Sequence, residues 1–326
     1  MLRILSIDGG GVRGIIPVIW LTHLEKRSGK RTADLFDLIV GTSVGGMIAL
    51  ALTCPRDGGA PYSAAELRHL DLGSVKKIFP RGHHAKHQAQ AQAQAPGTAA
   101  YSAAPLQEFL HQVMGNAKLS EAYRPVGVVT CDLAHTQALH FTGGGLDQSQ
   151  LGDADMALAA RATSSLPKYF PAVDYTDPGG TARELVDGGL AADDPALVAY
   201  SLGRTLQAAD DGVLLVSLGT GTSERSSGLL LSSEQTRNKA EARGPERDFS
   251  MVLEGPGQLM RESLRRLLGG DYVRIQTRLL PGTHHDSDDA SPKNILGLLA
   301  TAEKMVLESS AELDRLSAVL QEPPVG

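Results

Sequence analysis

Residues 36–52 read Phe36-Asp37-Leu38-Ile39-Val40-Gly41-Thr42-Ser43-Val44-Gly45-Gly46-Met47-Ile48-Ala49-Leu50-Ala51-Leu52. The stretch opens as a short apolar strand over Phe36 to Val40, breaks at Gly41, and resumes as an apolar helix from Met47 to Leu52. At the break stands Gly41-Thr42-Ser43-Val44-Gly45, a G-x-S-x-G sequence. Glycines on either side permit the sharp, strained turn that lifts a serine hydroxyl above the end of a sheet. The following helix aims its N-terminal dipole at the same spot, which favours developing negative charge. Ser43 is therefore a candidate nucleophile.

The neighbouring segments repeat the rhythm. Leu2, Ile4, Leu5 and Ile7 make a strand that stops at Asp8-Gly9-Gly10-Gly11. Residues 15–28 then read as a helix, with Pro17 in its first turn, where a missing N–H is harmless. Further strands are expected at Val126–Thr130, Leu139–Phe141 and Val213–Leu218. Asp194-Pro195 and Ser291-Pro292 both read as a capping side chain followed by proline at the first helical position. Strands alternating with helices imply a layered α/β fold. The chain reads as one domain over residues 1–326, with a long amphipathic packing helix over 291–320. Residues 222–250 are polar and mixed in charge, as expected of a loop with short helical pieces.

Residues 81–104 differ in kind. Arg81-Gly82-His83-His84-Ala85-Lys86-His87 runs into a Gln-Ala alternation with nothing to bury, the composition of a mobile surface insertion. Lys76, Lys77, Arg81 and Lys86 form a basic cluster suited to anionic lipid headgroups. A metal site needs ligands held in order, so the three histidines are read as solvated and no metal is expected.

Composition removes whole classes of function. With 31 basic against 37 acidic residues the net charge is −6, so no basic field exists for nucleic acid, and none is expected as a partner. Aromatics at 4% are too sparse for a base-stacking platform. Two cysteines, Cys54 and Cys131, do not make a disulfide scaffold and fit a reducing compartment. The first residues run straight into a strand without a charged segment and apolar core, so a cytoplasmic location is expected. The longest apolar run, Ile39 to Cys54, carries three glycines and is a poor bilayer span.

A second glycine site stands at Asp8-Gly9-Gly10-Gly11-Val12-Arg13-Gly14. Consecutive glycines let backbone N–H groups converge on an anion. As Gly9-x-Gly11-x-x-Gly14 it fits a dinucleotide fingerprint, but that needs an acidic residue ending the second strand, and here Asp34 and Asp37 precede it. It also fits an oxyanion hole serving Ser43, or a turn needed only for close packing. A base for Ser43 is sought next. His284 and His285 fall in a loop-like acidic stretch, and His135 and His140 flank a strand. Asp187, in Leu185-Val186-Asp187-Gly188-Gly189, ends a strand that opens into glycines and is placed to take the serine proton directly.

With these elements assembled, the sequence resembles the patatin-like phospholipase family. Asp8 to Gly14 resembles its glycine-rich oxyanion motif, Gly41 to Gly46 its nucleophile elbow, and Asp187-Gly188-Gly189 its D-G-[GA] motif. Ala160 to Pro171 resembles its helix-and-proline segment, and Val216 to Gly221 its late strand. The resemblance implies a three-layer α/β/α sandwich with a central, mostly parallel sheet. It implies calcium-independent hydrolysis of membrane or micellar lipid esters by a Ser–Asp dyad, without a cofactor and with peripheral membrane contact. Carried over, Ser43 is the nucleophile, Asp187 the base, and the loop of Gly9, Gly10, Gly11, Arg13 and Gly14 the oxyanion hole. One departure stands out: the family's Asn-Asn-Pro is Asp193-Asp194-Pro195 here. Asp194 is read first as a solvated cap carboxylate; were these carboxylates to lie close to Asp187, like-charge repulsion would raise its pKa.

Overall fold

The computed structural model describes residues 1–56, 59–69, 72–80, 99–146, 149–206, 212–223 and 246–321. Among the described residues eight strands form one sheet: β1 (Leu2–Ile7), β2 (Leu38–Thr42), β3 (Val126–Asp132), β4 (Gln137–Gly143), β5 (Val173–Thr176), β6 (Ala182–Asp187), β7 (Val213–Leu218) and β8 (Tyr272–Ile275). The order is β5-β6-β3-β2-β1-β7-β8, with β4 also on β3. The pairs β3–β2, β2–β1, β1–β7 and β7–β8 are parallel, whereas β4 and β6 run antiparallel to β3, and β5 to β6.

β1 and β7 are buried along their whole length and are mostly apolar on both faces, with Arg3, Ser6 and Ser217 as buried polar exceptions. Alternate residues nonetheless face different layers, because side chains along a strand point to opposite sides. Leu5, Ile7 and Ile39 join a large core with the helices Ile15–Ser28, Val44–Thr53 and Pro292–Glu308. Leu2, Ile4, Leu38 and Val40 join a smaller one with the helix Ala196–Gly203 and with Leu264 of the helix Glu246–Leu268. The result is the expected three-layer α/β/α sandwich.

The expected helix over 291–320 is two helices, Pro292–Glu308 and Ser310–Val319. Its predicted cap holds: the Ser291 hydroxyl accepts from the Asn294 N–H, with Pro292 following. The break falls at Ser309 (φ −107°, ψ 18°), whose hydroxyl accepts the Trp20 indole N–H at 2.9 Å. The Gln-Ala stretch and Arg81 and Lys86 lie outside the described residues; Lys76 and Lys77 are exposed at the end of the helix Leu72–Ile78. Among the described residues no helix is long and apolar enough to cross a membrane.

Candidate active site

The strand–helix break at Ser43 is as sharp as its glycines suggest. Ser43 has φ 55° and ψ −126°, a left-handed conformation that a side-chain-bearing residue holds only under strain. The turn closes because Gly45 packs directly on the carbonyl oxygens of Ile7 and Asp8 at the end of β1, where a Cβ would collide. Gly41 lies equally close to the Gly45 carbonyl. The helix Val44–Thr53 therefore starts hard against the sheet, with Ser43 half-buried at its N-terminus.

Asp187 is the last residue of β6 and is 4% exposed. The Ser43 hydroxyl donates to its Oδ2 at 2.7 Å, while the Gly189 N–H donates to its Oδ1 at 2.7 Å. Burial pushes its pKa up to about 7, against the lowering effect of those two hydrogen bonds. A carboxylate with that pKa, touching a hydroxyl, is matched to accept a proton near neutrality. Gly188 packs on the Val129 carbonyl, and Gly189 beside the carboxylates of Asp187 and Asp193.

The glycine loop lies alongside, with Gly9 packed on the Cβ of Ser43. Its members divide by what their N–H groups do. Gly9 donates to the Asp193 carbonyl at 2.9 Å, and Val12 to the Ser287 carbonyl at 2.9 Å. Among the described residues, the Gly10 and Gly11 N–H groups have no hydrogen-bond acceptor. Both residues have positive φ, 151° and 57°. Gly9 is thus a packing member of the loop and not a free donor. Arg13 is buried and donates to the carbonyls of Gly10 (3.2 Å) and Gly221 (3.4 Å), bracing the turn. Gly14 closes the short 3-10 helix Gly11–Gly14 against Val44. The dinucleotide reading finds no support here: Asp37 stands at the opposite end of β2, where it accepts the Arg3 N–H at 2.8 Å.

Asp194 is a cap as read, but not a solvated one, and it does not raise the pKa of Asp187. It is buried, caps the Ala196 N–H at 3.1 Å, and meets Arg261 at 3.0 Å and Arg274 at 3.6 Å. Arg274 also grips Asp8 with both terminal nitrogens and donates to the Ser217 hydroxyl at 2.7 Å. Burial opposes the Arg274 charge, and the two carboxylates more than offset it, so the guanidinium stays charged. The second carboxylate of Asp193-Asp194 is thereby neutralised by two arginines, and what raises Asp187 is burial. Sequence reasoning missed both arginines, although Arg274 inside the apolar strand Tyr272–Ile275 is the pattern of a buried charge with a partner.

Two of the histidines pair with carboxylates other than Asp187. His284 Nδ1 is 2.5 Å from Asp289, and His135 Nδ1 is 2.8 Å from Asp132. Burial and the nearby Arg13 push His285 down to about 3, and burial also lowers His140. The Ser43 hydroxyl goes to Asp187. Cys54 and Cys131 are free and buried. Among the described residues no group of three His, Cys, Asp or Glu side chains is arranged to hold a metal.

Known proteins resemble this chain in sequence. The family description "Patatin-like phospholipase" matches residues 5–200. Patatin-like protein 2 of Arabidopsis thaliana is 31% identical over 96% of this chain and 85% of its own length. Patatin group J-1 of Solanum tuberosum is 30% identical over 94% of this chain and 84% of its own. Among solved structures, VipD from Legionella pneumophila covers 98% of this chain and 74% of its own, at 11% identity and a TM-score of 0.35, a likeness too slight to add to the assignment. The matched segment runs from β1 through the elbow and Asp187 into the helix Ala196–Gly203, and by it and these relatives the chain belongs to the patatin-like phospholipase family.

Proposed function

We propose that this chain cleaves carboxylic esters of glycerolipids through an acyl-serine intermediate, as a phospholipase A or lysophospholipase. Family membership supports lipid acyl hydrolysis in general. The observation that carries the specific reading is the 2.7 Å bond from Ser43 Oγ to a buried Asp187, beside two glycine N–H groups without acceptors among the described residues. Asp187 Oδ2 takes the hydroxyl proton as Oγ attacks the ester carbonyl. The oxyanion forms against the N–H groups of Gly10 and Gly11, a type of contact worth about 3–4 kcal/mol per donor. As the intermediate collapses, Asp187 returns the proton to the departing lysolipid oxygen. A water then gives its proton to Asp187 and attacks the acyl-serine, and Asp187 passes that proton to Ser43 Oγ as the fatty acid departs.

Each proton in this cycle is held by Asp187, so turnover should continue in chelator. The substrate is reached at a membrane or micelle surface from the cytoplasmic side, a location consistent with two free, buried cysteines. The test is mass-resolved product analysis of phospholipid vesicles with wild type and Ser43→Ala, in chelator. Free fatty acid and lysolipid from wild type alone are expected. Equal release by both proteins would remove Ser43 from the reaction. Loss of activity on replacing His284 and His285 would favour a histidine-dependent esterase instead.

A further inference from the structure

The Ser43–Asp187 contact is made where two strands meet end to end. β4 lines one edge of β3 over residues 126–132. The other edge is shared: β2 pairs with residues 126–129 and β6 with residues 130–132. Thr42 stands opposite Val129, and Asp187 opposite Thr130. Serine and aspartate therefore hang from strands with no ladder between them, and β3 is the strand that both pair with. Something else must hold the seam, because misplacing a reacting group by about 1 Å costs on the order of a hundredfold in rate.

Thr163, the last residue of the helix Met156–Thr163, sits at that seam and is fully buried. Its hydroxyl donates to the Val129 carbonyl at 2.5 Å and accepts the Ser43 N–H at 2.8 Å. Its own carbonyl accepts the Gly188 N–H at 3.3 Å, and two residues on the Ser165 carbonyl accepts the Asp187 N–H at 3.1 Å. Its methyl lies 2.9 Å from where a Cβ on Gly46 would be. Thr163 and Ser165 thus tie the centre of β3, the nucleophile's backbone and the backbone of the base into one unit. A threonine hydroxyl supplies both donor and acceptor; valine has the same shape and neither, and serine has both without the methyl.

We propose that Thr163 is a positioning residue that sets the Ser43–Asp187 contact, acting on the nucleophile's backbone rather than on substrate. This rests on the reading of Ser43 and Asp187 as nucleophile and base. The effect of its loss must then fall on kcat and on Ser43 reactivity, and leave KM alone.

The experiment measures kcat, KM and the rate of Ser43 labelling by a fluorophosphonate for wild type, Thr163→Val, Thr163→Ser and Ser43→Ala, on folded protein with a p-nitrophenyl acyl ester. Thr163→Val should lower kcat and labelling about 10- to 100-fold with KM within about twofold, and Thr163→Ser should recover to within about threefold of wild type. Wild-type kcat in Thr163→Val would overturn the proposal. So would a Thr163→Ser as slow as Thr163→Val, since packing of the methyl would then be what matters. Thr163→Cys, similar in size and a poor hydrogen-bonding partner, replaces Thr163→Val with the same two outcomes should the latter not fold. Hydrolysis retained by Ser43→Ala would sink the functional reading itself; an inactive Ser43→Ala beside a fully active Thr163→Val would sink only the role of Thr163.

Discussion

Replacing Asp187 by Asn exposes two consequences of burying a base, one in rate and one in stability. The carboxyl moves from an ordinary 3.8 to about 7 on folding. That gap of about three pH units, at ~1.36 kcal/mol each, is on the order of 4 kcal/mol. The folded chain holds the proton more tightly than the unfolded chain, so stability falls as pH rises across the gap. The favourable contribution is fully present below about pH 4 and lost once pH passes about 7. Asn cannot titrate. The stability of Asp187→Asn minus that of wild type should therefore rise by roughly 4 kcal/mol between about pH 4 and pH 8, read from urea unfolding at each pH. Groups common to both proteins cancel in the difference. In the rate, only ionised Asp187 accepts the Ser43 proton, so wild-type kcat/KM should fall about tenfold per unit below about pH 7. The variant should lose about 10²–10⁴ in kcat. Parallel stability profiles for the two proteins, together with an acid limb centred near pH 4, would refute the reasoning.

Other outcomes follow from the arginines and the glycine loop. Asp194→Asn should leave the acid limb of the pH–rate profile where it is, because its carboxylate faces Arg261 and Arg274 rather than Asp187; a limb that moves downward would restore the repulsion idea. Arg274→Met strands the buried carboxylates of Asp8 and Asp194 with Arg261 alone, and should cost about 3–5 kcal/mol in urea unfolding. Gly11→Ala places a Cβ on the Ser287 carbonyl at a positive φ. It should lower kcat about 10²–10³-fold in steady-state assays by displacing a donor of the oxyanion loop.

Much of the frame was legible because central parallel strands must be apolar on both faces. β1 and β7 were read from such runs, and the break at Gly41 marked the elbow. The helix Glu246–Leu268 was not, since Gly255-Pro256-Gly257 within it carries the composition of a loop. β8 is four residues long, too short for a periodic signal, and with it went Arg274. The chemistry of Ser43 and Asp187 showed in their glycine surroundings, but their meeting did not. It depends on a register, Thr42 on Val129 and Asp187 on Thr130, that only the assembled sheet specifies. Thr163 was hidden for the same reason: its partners are 34 and 120 residues away in sequence. Asp194 was read as a helix cap, which it is, but the arginines that face it come from the far end of the chain.

The central claim, that Ser43 carries the acyl group while Asp187 handles its proton, has one direct test. Wild type mixed with a slowly deacylated ester and quenched early should gain the mass of one acyl group, and peptide mapping should place it on Ser43. Ser43→Ala should gain nothing, and Asp187→Asn should gain it far more slowly than wild type. An acyl group found on another residue, or turnover of ester with no acylation of Ser43 at any time, would contradict the account.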